Sequence, residues 1–159
     1  MAVFNLLLLP VSFVAMELVA WLTHKYLMHG PLWTLHRDHH QKDRERFWER
    51  NDFFFLIFAT PGMLLIYLGV QHGALDARLW AGFGISLYGM AYVIMHDLFI
   101  HQRMKVFTRT DNAYLRAVRK AHKVHHKHLD KEEGECFGML WVPRKFWEEV
   151  KQPPGENKC

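Results

Sequence analysis

HKYLMHGPLWTLHRDHH, residues 24–40, places five histidines within seventeen residues. The pattern recurs further on, where HDLFIH at residues 96–101 is followed by HKVHH at residues 122–126. H-x4-H followed by H-x2-H-H thus occurs twice, and the two copies hold ten of the twelve histidines of the chain. A solvated basic surface has no reason to duplicate its spacing. A shared metal centre does, and it is the expectation from which the rest of the chain is read.

Helix geometry sets what each motif can do. His36 and His40, at i and i+4, lie on one helix face and can grip one ion. His39 sits about 100° around the helix from His40, so the three rings form a stripe wide enough for two adjacent ions. His122, His125 and His126 repeat that stripe. H-x4-H differs, because at i+5 two side chains are about 140° apart and about 7.5 Å along an ideal α-helix. His24 with His29, and His96 with His101, therefore either serve different ions or sit on distorted helix. Ten imidazoles are too many for one ion, since zinc usually takes four ligands. Two ions with about five imidazoles each would consume all ten. Imidazole suits iron, zinc, copper and nickel, so ligand type alone does not choose the metal.

The flanks of these motifs are apolar. Residues 3–22, 53–71 and 79–100 form three blocks, each near the ~20 residues that a bilayer-spanning helix needs. Six of the twenty Lys and Arg residues fall in residues 25–50, thirteen follow residue 100, and only Arg78 lies in the 72–78 turn. With three spans, the positive-inside rule makes the side carrying residues 23–52 and 101–159 cytoplasmic. The same topology brings both histidine sets to one side at one depth. The expected fold is all-α: an integral membrane helical bundle of three transmembrane helices with a cytoplasmic helical cap carrying a histidine-rich dimetal site. A four-span version stays open if part of the C-terminal region re-enters. Residues 1–152 read as one domain and 153–159 as a disordered tail.

Half the residues are hydrophobic, yet the mean hydropathy is only −0.12 because the polar residues are concentrated between the blocks. The net charge of +4 fits nucleic acid, anionic lipid or a charged cytoplasmic face; the positive-inside pattern favours the last, and no nucleic-acid partner is expected. Cys136 and Cys159 lack metal or redox spacing. The N-terminal block lacks a basic leader, so no cleavable signal peptide is expected. Gly30 and Pro31 break the helix leaving the first block, and a surface helix is expected to restart near Thr34 as N-cap and to run through the following charged residues. Asp111 and Asn112 mark another helix start. Residues 132–134 read as a hinge, and CFGMLWVPRKFWEEV at residues 136–150 as a segment that lies on the membrane or caps the metal site.

Several single residues have two readings. Glu17, inside the first block, is either a protonated or hydrogen-bonded acid facing another helix or, sharing a face with His24 at i+7, part of the site. Asp38 and Asp97 are either surface or capping carboxylates or orient imidazole N–H groups. Asn51 is either a turn residue or a weak, water-mediated ligand. Gly82, Ser86 and Gly89 admit either a neighbouring helix or a slim ligand. His72 reads as solvated, and His128 as pointing away from the His122 and His126 face.

The boxes HKYLMH, HRDHH, HDLFIH and HKVHH resemble those of the membrane-bound fatty acid hydroxylase superfamily of non-haem diiron oxygenases. The phrases HGPLWTLHRDHH, RFWERND and CFGMLWVP look like its bacterial β-carotene 3-hydroxylase branch, and the likeness runs from about residue 10 to 147. That resemblance implies two irons held by His24, His29, His36, His39, His40, His96, His101, His122, His125 and His126, with zinc able to substitute. It implies O2-dependent hydroxylation of C3 of β-ionone rings, from β-carotene through β-cryptoxanthin to zeaxanthin, in the bacterial inner membrane. Without a G-x-G-x-x-G nucleotide motif, electrons are expected from a separate carrier such as ferredoxin. A ketolase, desaturase or fatty acid hydroxylase of the same chemistry is the alternative. A membrane metal-binding or transport protein is a weaker one, because ionisable residues are scarce within the spans.

Overall fold

The computed structural model describes residues 2–41, 47–129 and 135–151. A short helix α1 (Ala2–Leu6) leads into α2 (Leu8–Leu22), which continues without a break as a π-helical segment, π1 (Thr23–Met28). α3 (Trp33–His40), α4 (Asp52–Val70) and α5 (Ala77–Tyr92) follow; α5 runs on into a second π-helical segment, π2 (Val93–Ile100), and α6 (Ala113–His125) and α7 (Arg144–Lys151) complete the order. No described residue is in a strand.

Three helices are long and apolar enough to cross a bilayer: Phe4–Met28, Asp52–Val70 and Ala77–Ile100, with mean hydropathies of 2.0, 2.2 and 1.4. Their outer faces carry exposed Val11, Val14, Leu18, Ile57, Leu64 and Leu87, as lipid-facing surfaces do. No fourth helix of that kind occurs among the described residues, and in the C-terminal region residues 135–143 are irregular. α5 is the shared neighbour of α2 and α4. At Gly82 a side chain would meet the Gly62 carbonyl and the Ile66 backbone at 2.8 Å, and at Gly62 it would meet Ser86 Oγ at 3.1 Å. Gly82 and Ser86 therefore serve helix packing.

The cap is built from α3, α6, α7 and the irregular residues 135–143. α6 starts where Asn112 Oδ1 accepts the Leu115 amide at 3.1 Å, as a helix N-cap should. Its apolar face, Ala117 and Ala121, packs against Phe146 and Val150 of α7. Arg119 binds the loop before α6 through the carbonyls of Phe107 and Thr108, and reaches the end of π2 through Phe99 O at 2.8 Å. Two expectations change here. α3 begins after Leu32, not at a Thr34 cap, and it ends at His40, where Gln41 leaves helical geometry with ψ 66°. Asn51 then precedes the first residue of α4. The hinge expected at residues 132–134 and the tail from residue 153 lie outside the described residues.

Candidate metal centre

The strain in H-x4-H is resolved by the backbone. In π1 and π2 the hydrogen bonds run from i+5 to i: His29 N–H to His24 O at 3.0 Å, and His101 N–H to His96 O at 2.9 Å. Widening the turn brings residues five apart onto one face. The rings of His24 and His29 lie 5.1 Å apart by centroid, and those of His96 and His101 4.5 Å. Of the two possibilities left open by the spacing, the helix is distorted and neither pair is divided.

The ten motif histidines form two adjoining groups. His24, His29, His36, His40 and His125 bring one ring nitrogen each within 4.8 Å of one another, as do His39, His96, His101 and His122. His126 joins the second group, with Nε2 2.9 Å from His122 Nε2. Each group takes four histidines from one sequence repeat and one from the other. The exchanged residues are His39 and His125, the middle members of the two H-x2-H-H motifs. On α3, His36 and His40 face the first group while His39 turns to the second; on α6, His122 and His126 face the second while His125 turns to the first. α3 and α6 meet along this stripe, with the His40 and His126 rings stacked at 4.3 Å. His72 is exposed in the turn, and His128 lies outside both groups.

Five of the rings have an oxygen acceptor at their outer nitrogen, which sets their tautomer. His24 Nδ1 donates to Phe137 O at 2.8 Å, His29 Nδ1 to Leu129 O at 2.8 Å and His36 Nδ1 to Asn51 Oδ1 at 2.6 Å. His39 Nδ1 donates to Glu49 Oε2 at 2.9 Å and His96 Nδ1 to Asp97 Oδ1 at 2.8 Å. Oxygen acceptors of this kind hold the proton on Nδ1 and leave the Nε2 lone pair facing inward. Those inward atoms crowd together. His24 Nε2 and His36 Nε2 are 3.0 Å apart, His36 and His40 Nε2 3.0 Å, His24 and His125 Nε2 3.1 Å, and His101 and His122 Nε2 2.9 Å. Two ligands about 2.1 Å from an ion at about 90° are separated by about 3.0 Å. Lone pairs at that spacing repel one another unless a cation lies between them. His39 Nε2 is buried and has no hydrogen-bond partner. The donor sets therefore fit two metal ions.

Burial favours the neutral, ligating form of the cap histidines His36, His39, His40, His122, His125 and His126. It pushes His36 down to about 3 and His126 to about 4, with neighbouring imidazoles adding to the effect. His39 and His122 lie well below the usual histidine value, through burial first and then mutual repulsion of neighbouring rings. His40 and His125 shift in the same direction for the same reasons.

The auxiliary residues separate. Asp97 orients an imidazole, as one reading had it. Asp38 does not: between His36 and His40 at i+2 it points away from their face, and its Oδ2 accepts the Arg50 amide at 2.6 Å. Glu49 fills that role for His39, and sequence reasoning missed it. The only signal was its position in RFWERND, ten residues beyond His39. Asn51 is bonded to the outer nitrogen of His36, on the far side of the ring from the inward-facing Nε2. Glu17 is a hydrogen-bonded acid. Its Oε1 accepts the amides of Met139, Leu140 and Trp141 at 3.0, 2.8 and 2.9 Å, and its Oε2 accepts the Tyr88 hydroxyl at 2.7 Å. Glu17 and His24, one face of one helix, thus hold the same segment. Its Phe137 ring packs on His24, His29 and His125. The segment caps the centre, one of the two roles expected for it.

Beneath both groups lies an apolar cavity of about 530 Å³ between α2, α4 and α5. His24, His96 and His122 line its inner end, and Met16, Phe54, Phe58, Ile85 and Met139 its walls. Gly89 opens onto it, since a side chain there would meet nothing within 4 Å. The small-residue stripe therefore divides: Gly82 packs helices, Ser86 both packs against Gly62 and lines the cavity, and Gly89 leaves room. Met63 and Met90 line the cavity and are also exposed on the outer surface, so it communicates with the lipid-facing side.

A family model described as fatty acid hydroxylase matches residues 9–149. The chain is 37% identical over 141 residues to the beta-carotene hydroxylase of Pantoea ananas, covering 89% of this chain and 79% of that one. It is 31% identical over 140 residues to the beta-carotene hydroxylase of Paracoccus sp., covering 87% and 85%. It is 39% identical over 137 residues to chloroplastic beta-carotene 3-hydroxylase 2 of Arabidopsis thaliana, covering 85% of this chain and 44% of that protein, so it spans less than half the length of the plant relative. No solved structure matches it.

Proposed function

This chain belongs to the fatty acid hydroxylase family, and from that premise we propose that it is a membrane-bound carotenoid 3-hydroxylase. It hydroxylates C3 of each β-ionone ring, taking β-carotene through β-cryptoxanthin to zeaxanthin. Each hydroxylation consumes one O2, two electrons and two protons, inserts one oxygen into the C3–H bond and releases water. The observation that carries this reading is the apolar cavity that ends at both histidine groups. Relatives that cover most of their length with this chain are named as beta-carotene hydroxylases.

The ten motif histidines would hold two irons, five to each. When bound, the iron pair supplies reductive activation of O2 and the oxidant that attacks the C–H bond. Zinc also binds imidazole strongly and would fill the same positions in metal-substituted protein. The chain's own contribution is placement. A carotene dissolves only in the hydrocarbon of the bilayer, and the cavity accepts one end of it from the lipid side between α4 and α5. Its apolar walls offer no hydrogen bonds and so fix the ring by shape. Glu17 holds the Met139 to Trp141 backbone across the inner end, and Phe137 covers the rings of the first group, which keeps bulk water from the ligands. Both histidine groups face the cytoplasm of the bacterial inner membrane, where a carrier such as ferredoxin delivers electrons. The excess of Lys and Arg on that side supports the orientation.

Expression in bacteria that accumulate β-carotene tests the reading. Zeaxanthin is the expected pigment; a ketolated product, or unchanged β-carotene with the protein present in the membrane, refutes it.

A further inference from the structure

The two groups have the same inner atoms but different outer partners. In the first group, His24, His29 and His36 give their Nδ1 protons to uncharged oxygens, two backbone carbonyls and the Asn51 amide. In the second, His39 and His96 give theirs to carboxylates, Glu49 and Asp97. These carboxylates are held in a built array. Gln102, with φ 51°, turns the chain sharply after π2. That turn carries Arg103 back, with its amide on Asp97 O at 3.0 Å. The guanidinium then reaches Asp52 Oδ1 at 2.6 Å, Glu49 Oε2 at 3.0 Å and Asp97 Oδ2 at 3.8 Å. Three carboxylates against one guanidinium leave a formal excess of negative charge beside the second group.

A charged acceptor makes a stronger hydrogen bond than a neutral one. It draws the Nδ1 proton away from the ring and makes Nε2 a better donor to a metal. The nearby negative charge also stabilises a cation directly, and little water intervenes to screen it, because Glu49 and Arg103 are nearly buried. Resting on the two-metal reading above, we infer that the two metal positions are inequivalent. The second group, backed by Glu49 and Asp97, binds its ion more tightly and fills first; the first group, backed by neutral oxygens, is the weaker position. Glu49 and Asp97 are positioning residues that act through His39 and His96. The crossed exchange of His39 makes this possible: it brings His39 of the first repeat, with its partner Glu49, to the arginine that follows π2 in the second.

The test uses the full chain in detergent, stripped of metal and titrated with Zn2+ against a competing chromophoric chelator. Wild type should bind two ions in separable steps differing at least tenfold. Glu49→Gln keeps an oxygen to accept the His39 proton but removes the charge, and it should weaken the tighter step by about ten- to a hundredfold while leaving the other unchanged. Asn51→Asp supplies a carboxylate to His36 of the first group and should tighten the weaker step, a gain that general loosening of the fold cannot produce. It also serves if Glu49→Gln fails to fold. Two equal steps in wild type, equal weakening of both steps in Glu49→Gln, or no gain in Asn51→Asp overturns the inference. Fewer than two ions bound by folded wild type instead overturns the two-metal reading on which it rests.

Discussion

Removing the Glu17 side chain should disable the site from within the membrane without removing a ligand. In Glu17→Ala, four donors lose their acceptor. The Trp141 amide belongs to an exposed residue and can turn to water. The Met139 and Leu140 amides and the hydroxyl of buried Tyr88 are less accessible. A buried polar group left unpaired costs about 1–3 kcal/mol, and taking the lower part of that range for three groups gives on the order of 3–6 kcal/mol. Since about 1.4 kcal/mol is tenfold in an equilibrium, the docked state of this segment should fall by about a hundredfold or more. The loss falls mainly on this segment: α2 and α5 give up the hydrogen bond between Glu17 and Tyr88 but keep the rest of their packing, including Ser12 Oγ on the Ala81 carbonyl. His24 then loses a fixed Phe137 carbonyl, and the cavity loses the Met139 wall. Glu17→Gln keeps one carbonyl oxygen and should retain more function than Glu17→Ala. The assay is zeaxanthin yield in carotene-accumulating cells, with membrane level and thermal stability of the purified protein measured in parallel. Glu17→Ala with wild-type yield and wild-type thermal stability would refute the argument that these hydrogen bonds hold the cap.

Gly89→Leu should fill the cavity where a side chain meets nothing within 4 Å; hydroxylation should be lost while bound metal and thermal stability stay near wild type, and unimpaired pigment formation counts against the cavity as the substrate site. Because His39 and His125 are exchanged between repeats, His36→Ala and His125→Ala should deplete the same metal, and His39→Ala and His122→Ala the other, each leaving about one ion per chain by elemental analysis; His72→Ala should change nothing. The metal-free protein should be acid-sensitive. Burial holds His36 at about 3 and His126 at about 4, both below the unfolded value of 6.5. As pH falls through 6.5 the unfolded chain takes up protons that the folded chain refuses. Stability is therefore greatest above 6.5 and declines as pH drops towards 4. A melting temperature of the apoprotein that does not fall between neutral and mildly acidic buffer contradicts this sign.

Much of this was legible along the chain because it rests on local periodicity. The three apolar blocks, the one-sided excess of basic residues and the duplicated motifs each need only spacing and composition, and the observed spans Asp52–Val70 and Ala77–Ile100 differ from the sequence blocks by no more than two residues at either end. The i, i+4 pairs His36/His40 and His122/His126 followed from the 3.6-residue turn, and both are found in single groups. Helix starts were less reliable: Asn112 caps as expected, whereas Thr34 does not, since the turn through Gly30 and Leu32 already carries the chain into α3.

By itself the sequence determined that the histidine motifs sit at the ends of membrane-length apolar helices and carry enough imidazoles for two ions. Tertiary structure alone decided how the ten are shared. The i+5 pairs required π-helical turns, which local propensity does not announce, and the exchange of His39 and His125 required α3 and α6 to face each other along one stripe. The outer partners, Glu49 for His39 and the amides of residues 139–141 for Glu17, lie ten residues on or at the far end of the chain. No periodicity connects such pairs. They meet because buried polar groups must find partners wherever packing places them.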